Sequence, residues 1–131
     1  QEHRLRESVQ EVSQAITAAA VQTTNSLEAS AVVAFTHSGT TAFNISRLRP
    51  GPTIIALCPF EEICRKLSIR WGVIPHIVPK MKHTDEMPKL AQPILKKFRL
   101  WKKGNKIVLL SGTPVAKPGS TNLLKVFEIK K

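Results

Sequence analysis

Tyrosine is absent from this chain, aromatic residues make up only 5% of it, and cysteine occurs twice. With so few rings, the cations have no interleaved stacking platforms, which argues against a nucleic-acid-binding surface. No apolar run approaches the roughly 18 residues that a membrane span needs. The first residues are charged with no apolar stretch behind them, so no signal peptide is read. A cytoplasmic protein with no membrane partner is the expectation. The chain begins at Gln1 rather than methionine, which reads as a fragment or a processed product. Cys58 and Cys64 lie six apart without a Cys or His cluster around them. That spacing fits neither a zinc site nor a redox CxxC motif, so they read as buried thiols of a cytosolic protein.

Acidic residues are scarce as well, and unevenly so. In residues 1–60, Arg4, Arg6, Arg47 and Arg49 balance Glu2, Glu7, Glu11 and Glu28. The rest of the chain sets sixteen basic residues against five acidic ones and so carries the whole net charge of +11. Such asymmetry favours an anionic partner: a phosphorylated metabolite, nucleic acid or an acidic protein face. A basic helix face that is merely solvated explains the same lysines more simply.

What is present suits one compact domain of 131 residues, 42% of them hydrophobic. Apolar positions at Leu5, Val9, Val12, Ile16, Ala19 and Ala20, closed by Leu27, have helical spacing. The short runs at 30–36, 53–58, 72–78 and 106–111 read as strands, largely buried on both faces. Pro75 implies an edge position or an early end for the third of them, because proline cannot donate to a ladder. Helices are expected at 41–48, from Pro59 to about Ile69, and from Thr84 to Trp101, the last stopped by Gly104. Pro93 should kink or break that last helix. Residues 122–129 alternate Leu124, Val126 and Glu128 with Leu123, Lys125, Phe127 and Ile129, which suits a half-exposed edge strand.

Strands alternating with helices predict an α/β fold, a three-layer α/β/α sandwich around a mostly parallel five-stranded sheet of order 3-2-1-4-5. The last connection holds no helix and is too short for a parallel crossover, so the final strand should run antiparallel.

In such sheets ligands bind beyond the carboxyl ends of the strands, where strand order reverses. Two glycine- and hydroxyl-rich loops belong there: "THSGTTAF" after the first strand and "SGTPVAKPGSTN" after the fourth. The first runs into a helix start, where unpaired N–H groups and the dipole favour an anion. A Ser or Thr helix cap is the ordinary explanation of such a loop. No Walker A lysine and no GxGxxG accompany it, which excludes those nucleotide motifs. There is no Ser/His/Asp or Cys/His arrangement either. His37 stands without a carboxylate near it in sequence, and His3, His76 and His83 are isolated. Phosphate binding without catalytic or metal-ligating residues is the reading, with Lys117 bringing charge to the crevice.

These residues also carry a family resemblance that spans essentially all 131 residues. "AAAVQTTNSLEASAVVAFTHSGTTAFNISRLRP" resembles the opening of the C-terminal domain of pyruvate kinases, with its Thr-x-Ser-Gly-x-Thr-Ala loop and Arg-Pro. "WGVIP" resembles that family's Arg-Gly-Val-x-Pro segment, and "KKGNKIVLLSGTPVAKPGSTNLLKV" its closing strand, effector loop and Gly-Thr-Thr-Asn turn. The final portion is closer to bacterial members. The resemblance implies one domain over residues 1–131, regulatory and oligomer-forming, without the (β/α)8 barrel that holds magnesium, potassium, phosphoenolpyruvate and ADP. It needs no cofactor of its own.

It also implies a phosphorylated effector, a sugar phosphate or AMP. Thr36, His37, Ser38, Gly39, Thr40 and Thr41 match the loop that holds one phosphate. Gly112, Lys117, Pro118, Gly119, Ser120 and Thr121 match the loop that closes over it. Self-association would give a dimer of this domain and a tetramer of the whole enzyme. The sequence departs from the family in two places. Between Met81 and Lys97 the tryptophan and arginine that hold a second phosphate in bisphosphate-responsive members have no counterpart. Asn105 replaces the acid that usually follows the Lys-Lys-Gly turn. A free-standing phosphometabolite-binding module of the same fold is the second reading, and nucleic-acid binding the third.

Overall fold

Two-residue periodicity divides the core in two. Along β1 (Ala31–Phe35), Val32 and Ala34 point into one buried cluster, and Ala31, Val33 and Phe35 into another. β2 (Thr53–Cys58) and β4 (Lys106–Gly112) split the same way, with Ile54, Ala56, Val108 and Leu110 against Ile55, Leu57, Ile107 and Leu109. A strand that must be apolar on both faces belongs inside a sheet covered on both sides. The first cluster takes Ala20 from α1 (Glu2–Ser26), Ala42 and Ile45 from α2 (Thr40–Arg47), and Cys64 and Leu67 from α3 (Glu61–Leu67). The second takes Met87, Ala91, Ile94 and Leu95 from α4 (Met87–Lys97). These contacts come from a computed structural model of the chain, which describes residues 2–112 and 121–131.

The expected α/β/α architecture is what forms. β3 (Val73–Ile77) and β5 (Thr121–Glu128) complete a sheet of order β3-β2-β1-β4-β5. β1 is parallel to β2 and β4, and β2 to β3, whereas β5 is antiparallel to β4. Pro75 lies on edge strand β3, opposite Ala56. Leu124 packs on the first cluster and Phe127 and Ile129 join the second, so the alternation read in β5 is real. Within α1 the buried Thr17 and Thr24 return their hydroxyls to the carbonyls of Ser13 and Ala20, at 2.7 and 2.6 Å, so neither is stranded in an apolar layer.

Four expectations need correction. α4 runs through Pro93, whose ring lies on an exposed face; the break falls upstream, at a 3-10 turn over Thr84–Glu86. Pro88 sits in the first turn of α4, where a missing N–H costs nothing. α4 also ends at Lys97 rather than near Trp101. The Leu100 N–H turns back to the Leu95 carbonyl at 2.7 Å and Arg99 takes a left-handed φ of 60°, a helix-ending geometry. Lys102 and Lys103 therefore lie beyond the helix, and Gly104 serves the turn into β4. At α3 the N-cap is Phe60, so Pro59 precedes the helix instead of opening it. Finally, Cys58 and Cys64 are not free thiols but form a disulfide. Their spacing carries the chain from the last residue of β2 into α3, and this turn brings the two Cα atoms to 6.3 Å, within bonding range.

Candidate functional site

β1 and β4 are parallel neighbours, with Ala34 opposite Leu110, so both strands leave the sheet at the same end. Thr36 follows β1 directly. Ser111 is fully buried at the end of β4, and Gly112 pairs with Thr121 at the start of β5 after a register shift. The two loops singled out in the sequence are thus rooted side by side. Lys117, Pro118, Gly119 and Ser120 lie outside the described residues.

The first loop is built around glycine. The Gly39 N–H donates to the hydroxyl of buried Thr36 at 2.8 Å, closing a tight turn. Gly39 itself takes φ 90° and stands as the N-cap of α2, with no side-chain cap. The N-cap residue is therefore glycine rather than Ser or Thr, while the loop hydroxyls accept N–H groups just at the helix start. Ser38 Oγ and Thr40 Oγ1 bond each other at 2.9 Å, and the Thr40 N–H reaches Ser38 Oγ at 3.4 Å. Thr41 is buried, and no acidic residue occupies the first turn of α2. Backbone N–H groups, hydroxyls and the positive end of a helix dipole make a surface suited to an anion.

His37 flanks this turn. Its ring meets Phe35 edge-on at 5.2 Å and lies 6.3 Å from Phe60. Burial holds its pKa below the ordinary histidine value, and the positive charge of Lys80 lowers it further. The imidazole is therefore neutral at neutral pH, able to donate a hydrogen bond but without a carboxylate among the groups that set its titration. Lys80 Nζ stands 5.8 Å from the Phe60 ring. Sequence reasoning missed Phe60 and Lys80, although each stands two or three residues beyond the carboxyl end of a parallel strand, β2 and β3 respectively. That topological position was the available signal. Among the described residues, no group of three or more His, Cys, Asp and Glu side chains is placed to hold a metal ion. Anion binding is the chemistry this arrangement can perform.

Comparison with known proteins accords with this geometry. The chain is 34% identical over 114 residues to a pyruvate kinase of Methylorubrum extorquens, covering 87% of the chain and 24% of the relative. It is 36% identical over 126 residues to that of Geobacillus stearothermophilus, covering 96% and 22%. A crystal structure of a pyruvate kinase from Cryptosporidium parvum superposes with a TM-score of 0.80 at 28% identity, over 90% of this chain and 23% of that one. The chain thus spans between a fifth and a quarter of the length of these relatives. The family model described as "Pyruvate kinase, alpha/beta domain" matches residues 14–127. With the strand order and the glycine-capped turn, these matches place the chain in the pyruvate kinase alpha/beta-domain family.

Proposed function

We propose that this chain is the C-terminal regulatory and self-association domain of a cytoplasmic pyruvate kinase, the glycolytic enzyme that transfers a phosphoryl group from phosphoenolpyruvate to ADP. On this reading the catalytic barrel belongs to a longer protein, and magnesium, potassium and ATP are bound there.

The observation that carries the proposal is the turn Thr36–Thr41, where glycine rather than a side chain caps α2. An effector phosphate would accept hydrogen bonds from the backbone of this turn and from the hydroxyls of Ser38, Thr40 and Thr41. Neutral His37 stands at its edge. The segment with Gly112, Lys117, Pro118, Gly119, Ser120 and Thr121 would close from β4, with Lys117 supplying a positive charge. A sugar phosphate or AMP is the ligand class. Hydrogen bonds to a charged group contribute about 1.5–3 kcal/mol each, so a few of them suffice for millimolar to micromolar binding.

The test is thermal denaturation against a panel of sugar phosphates, AMP and inorganic phosphate. Binding to the folded state alone raises stability by about 2.7 kcal/mol at a hundredfold excess over Kd. No shift at millimolar concentrations of any of them would remove the effector reading and leave the family assignment untouched.

A further inference from the structure

The inner side of the same turn opens onto a feature that the effector reading does not use. A cavity of about 200 Å³ lies between the start of α2 and α3. Phe43, Ile63 and Leu67 give it an apolar floor, and Ser38, Lys66 and Arg70 line its polar part. Gly39 closes one wall: a methyl group on its Cα would meet Ile63 Cγ2 at 3.4 Å and Leu67 Cδ2 at 3.5 Å.

The two cations are available to a ligand. Arg70 stacks on Phe43, its guanidinium carbon 4.2 Å from the ring centroid. Stacking engages the face of the guanidinium and leaves the N–H groups around its edge free for an oxyanion. Among the described residues neither Lys66 nor Arg70 has a carboxylate within ion-pairing distance. No acidic side chain lines the cavity at all. Two unpaired cations over an apolar floor are poorly matched to water alone, and the space exceeds what a bare phosphate ion fills. They match an anionic group borne on a carbon body.

We propose that this cavity is a second anion subsite, which takes an organic phosphate with its phosphate between Lys66 and Arg70 and its carbon body against Phe43, Ile63 and Leu67. The subsite shares the Ser38–Thr40 turn with the effector loop but approaches it from the α3 side. It does not require Lys117 or the segment that follows β4.

Phenyl phosphate is a suitable probe, titrated calorimetrically into the full-length protein. It should bind more tightly than inorganic phosphate, since only the former fills the apolar floor. Arg70→Ala and Lys66→Ala, both at exposed positions and each checked for an unchanged melting temperature, should weaken it about tenfold. Arg70→Lys, which keeps the charge but loses the planar fork, should weaken it less than Arg70→Ala does. The proposal is overturned if the probe does not bind at millimolar levels, or binds the Lys66 and Arg70 variants as it binds the parent. It is also overturned if Lys117→Ala weakens the probe as much as Arg70→Ala, which would assign the phosphate to the effector loop. That last result would support the effector reading, whereas a silent phosphate panel with an intact phenyl phosphate response would remove the effector reading and keep this subsite.

Discussion

Gly39 faces Ile63: a methyl group on its Cα would lie 3.4 Å from Ile63 Cγ2, in a backbone conformation of φ 90° that L residues seldom adopt. The turn thus lies beside α3, with room for a methyl group but an unfavourable backbone for one. Gly39→Ala should therefore destabilise the protein by about 1–2 kcal/mol, mainly from the left-handed φ. Urea denaturation measures this. An unchanged midpoint would mean that the turn relaxes freely, and its role as a fixed anion cradle would fail with it.

Thr36 holds the same turn from below. Thr36→Val keeps the shape of the side chain but leaves the Gly39 N–H without its acceptor at 2.8 Å. Losing the partner of such a donor costs about 1–3 kcal/mol. The loss should appear in stability and in any phosphate-induced melting shift together. A loss confined to stability would separate the turn from binding.

The histidines make stability depend on pH. His37 and His76 both have folded-state pKa values below the ordinary one, each through burial first, then through Lys80 and Lys97 respectively. Above about pH 6.5 both folded and unfolded forms are neutral and nothing changes. Below it the unfolded chain takes up protons that the folded one resists, so stability falls as pH drops through this window. His37→Gln should flatten part of that slope, read from urea midpoints between pH 5 and pH 7. A slope identical in the variant would show that His37 does not contribute.

The Cys58–Cys64 bond closes a short loop between β2 and α3. Loop-closure entropy for so few residues amounts to about 2 kcal/mol. A reducing agent should lower the urea midpoint accordingly, as a cytoplasmic setting would. Identical midpoints with and without reductant would show that the staple adds nothing.

Edge strand β5 leaves Val126 40% exposed, opposite Val108 on β4. An unpaired edge bearing apolar side chains is best covered by its own symmetry mate. Light scattering should report a self-associated species, and Val126→Lys should shift it toward monomer. A parent protein that is monomeric at high concentration would refute the self-association proposal.

Strands were legible because burial on both faces leaves continuous apolar runs such as "SAVVAFT" and "TIIALC", which need no knowledge of partners. The antiparallel run of the last strand followed from the shortness of its connection. The loop proposed to hold an anion was singled out by its glycine and hydroxyls. Phe60, Lys80, Lys66 and Arg70 were not, since each is an ordinary exposed residue until the sheet and α3 bring it beside the turn. The disulfide escaped for the same reason: six residues of separation mean nothing until a strand end and a helix turn set the distance.

The amino-acid sequence by itself determined the alternation of elements and the two-sided core, because these depend on local periodicity and on apolar area, and its motifs carried the family resemblance. Tertiary structure alone decided what caps α2. A hydroxyl cap and a glycine cap are both compatible with "THSGTTAF", and the Thr36 hydroxyl that accepts the Gly39 N–H goes with the glycine cap. That hydrogen bond holds the left-handed turn at the start of α2, where we propose that an anion binds.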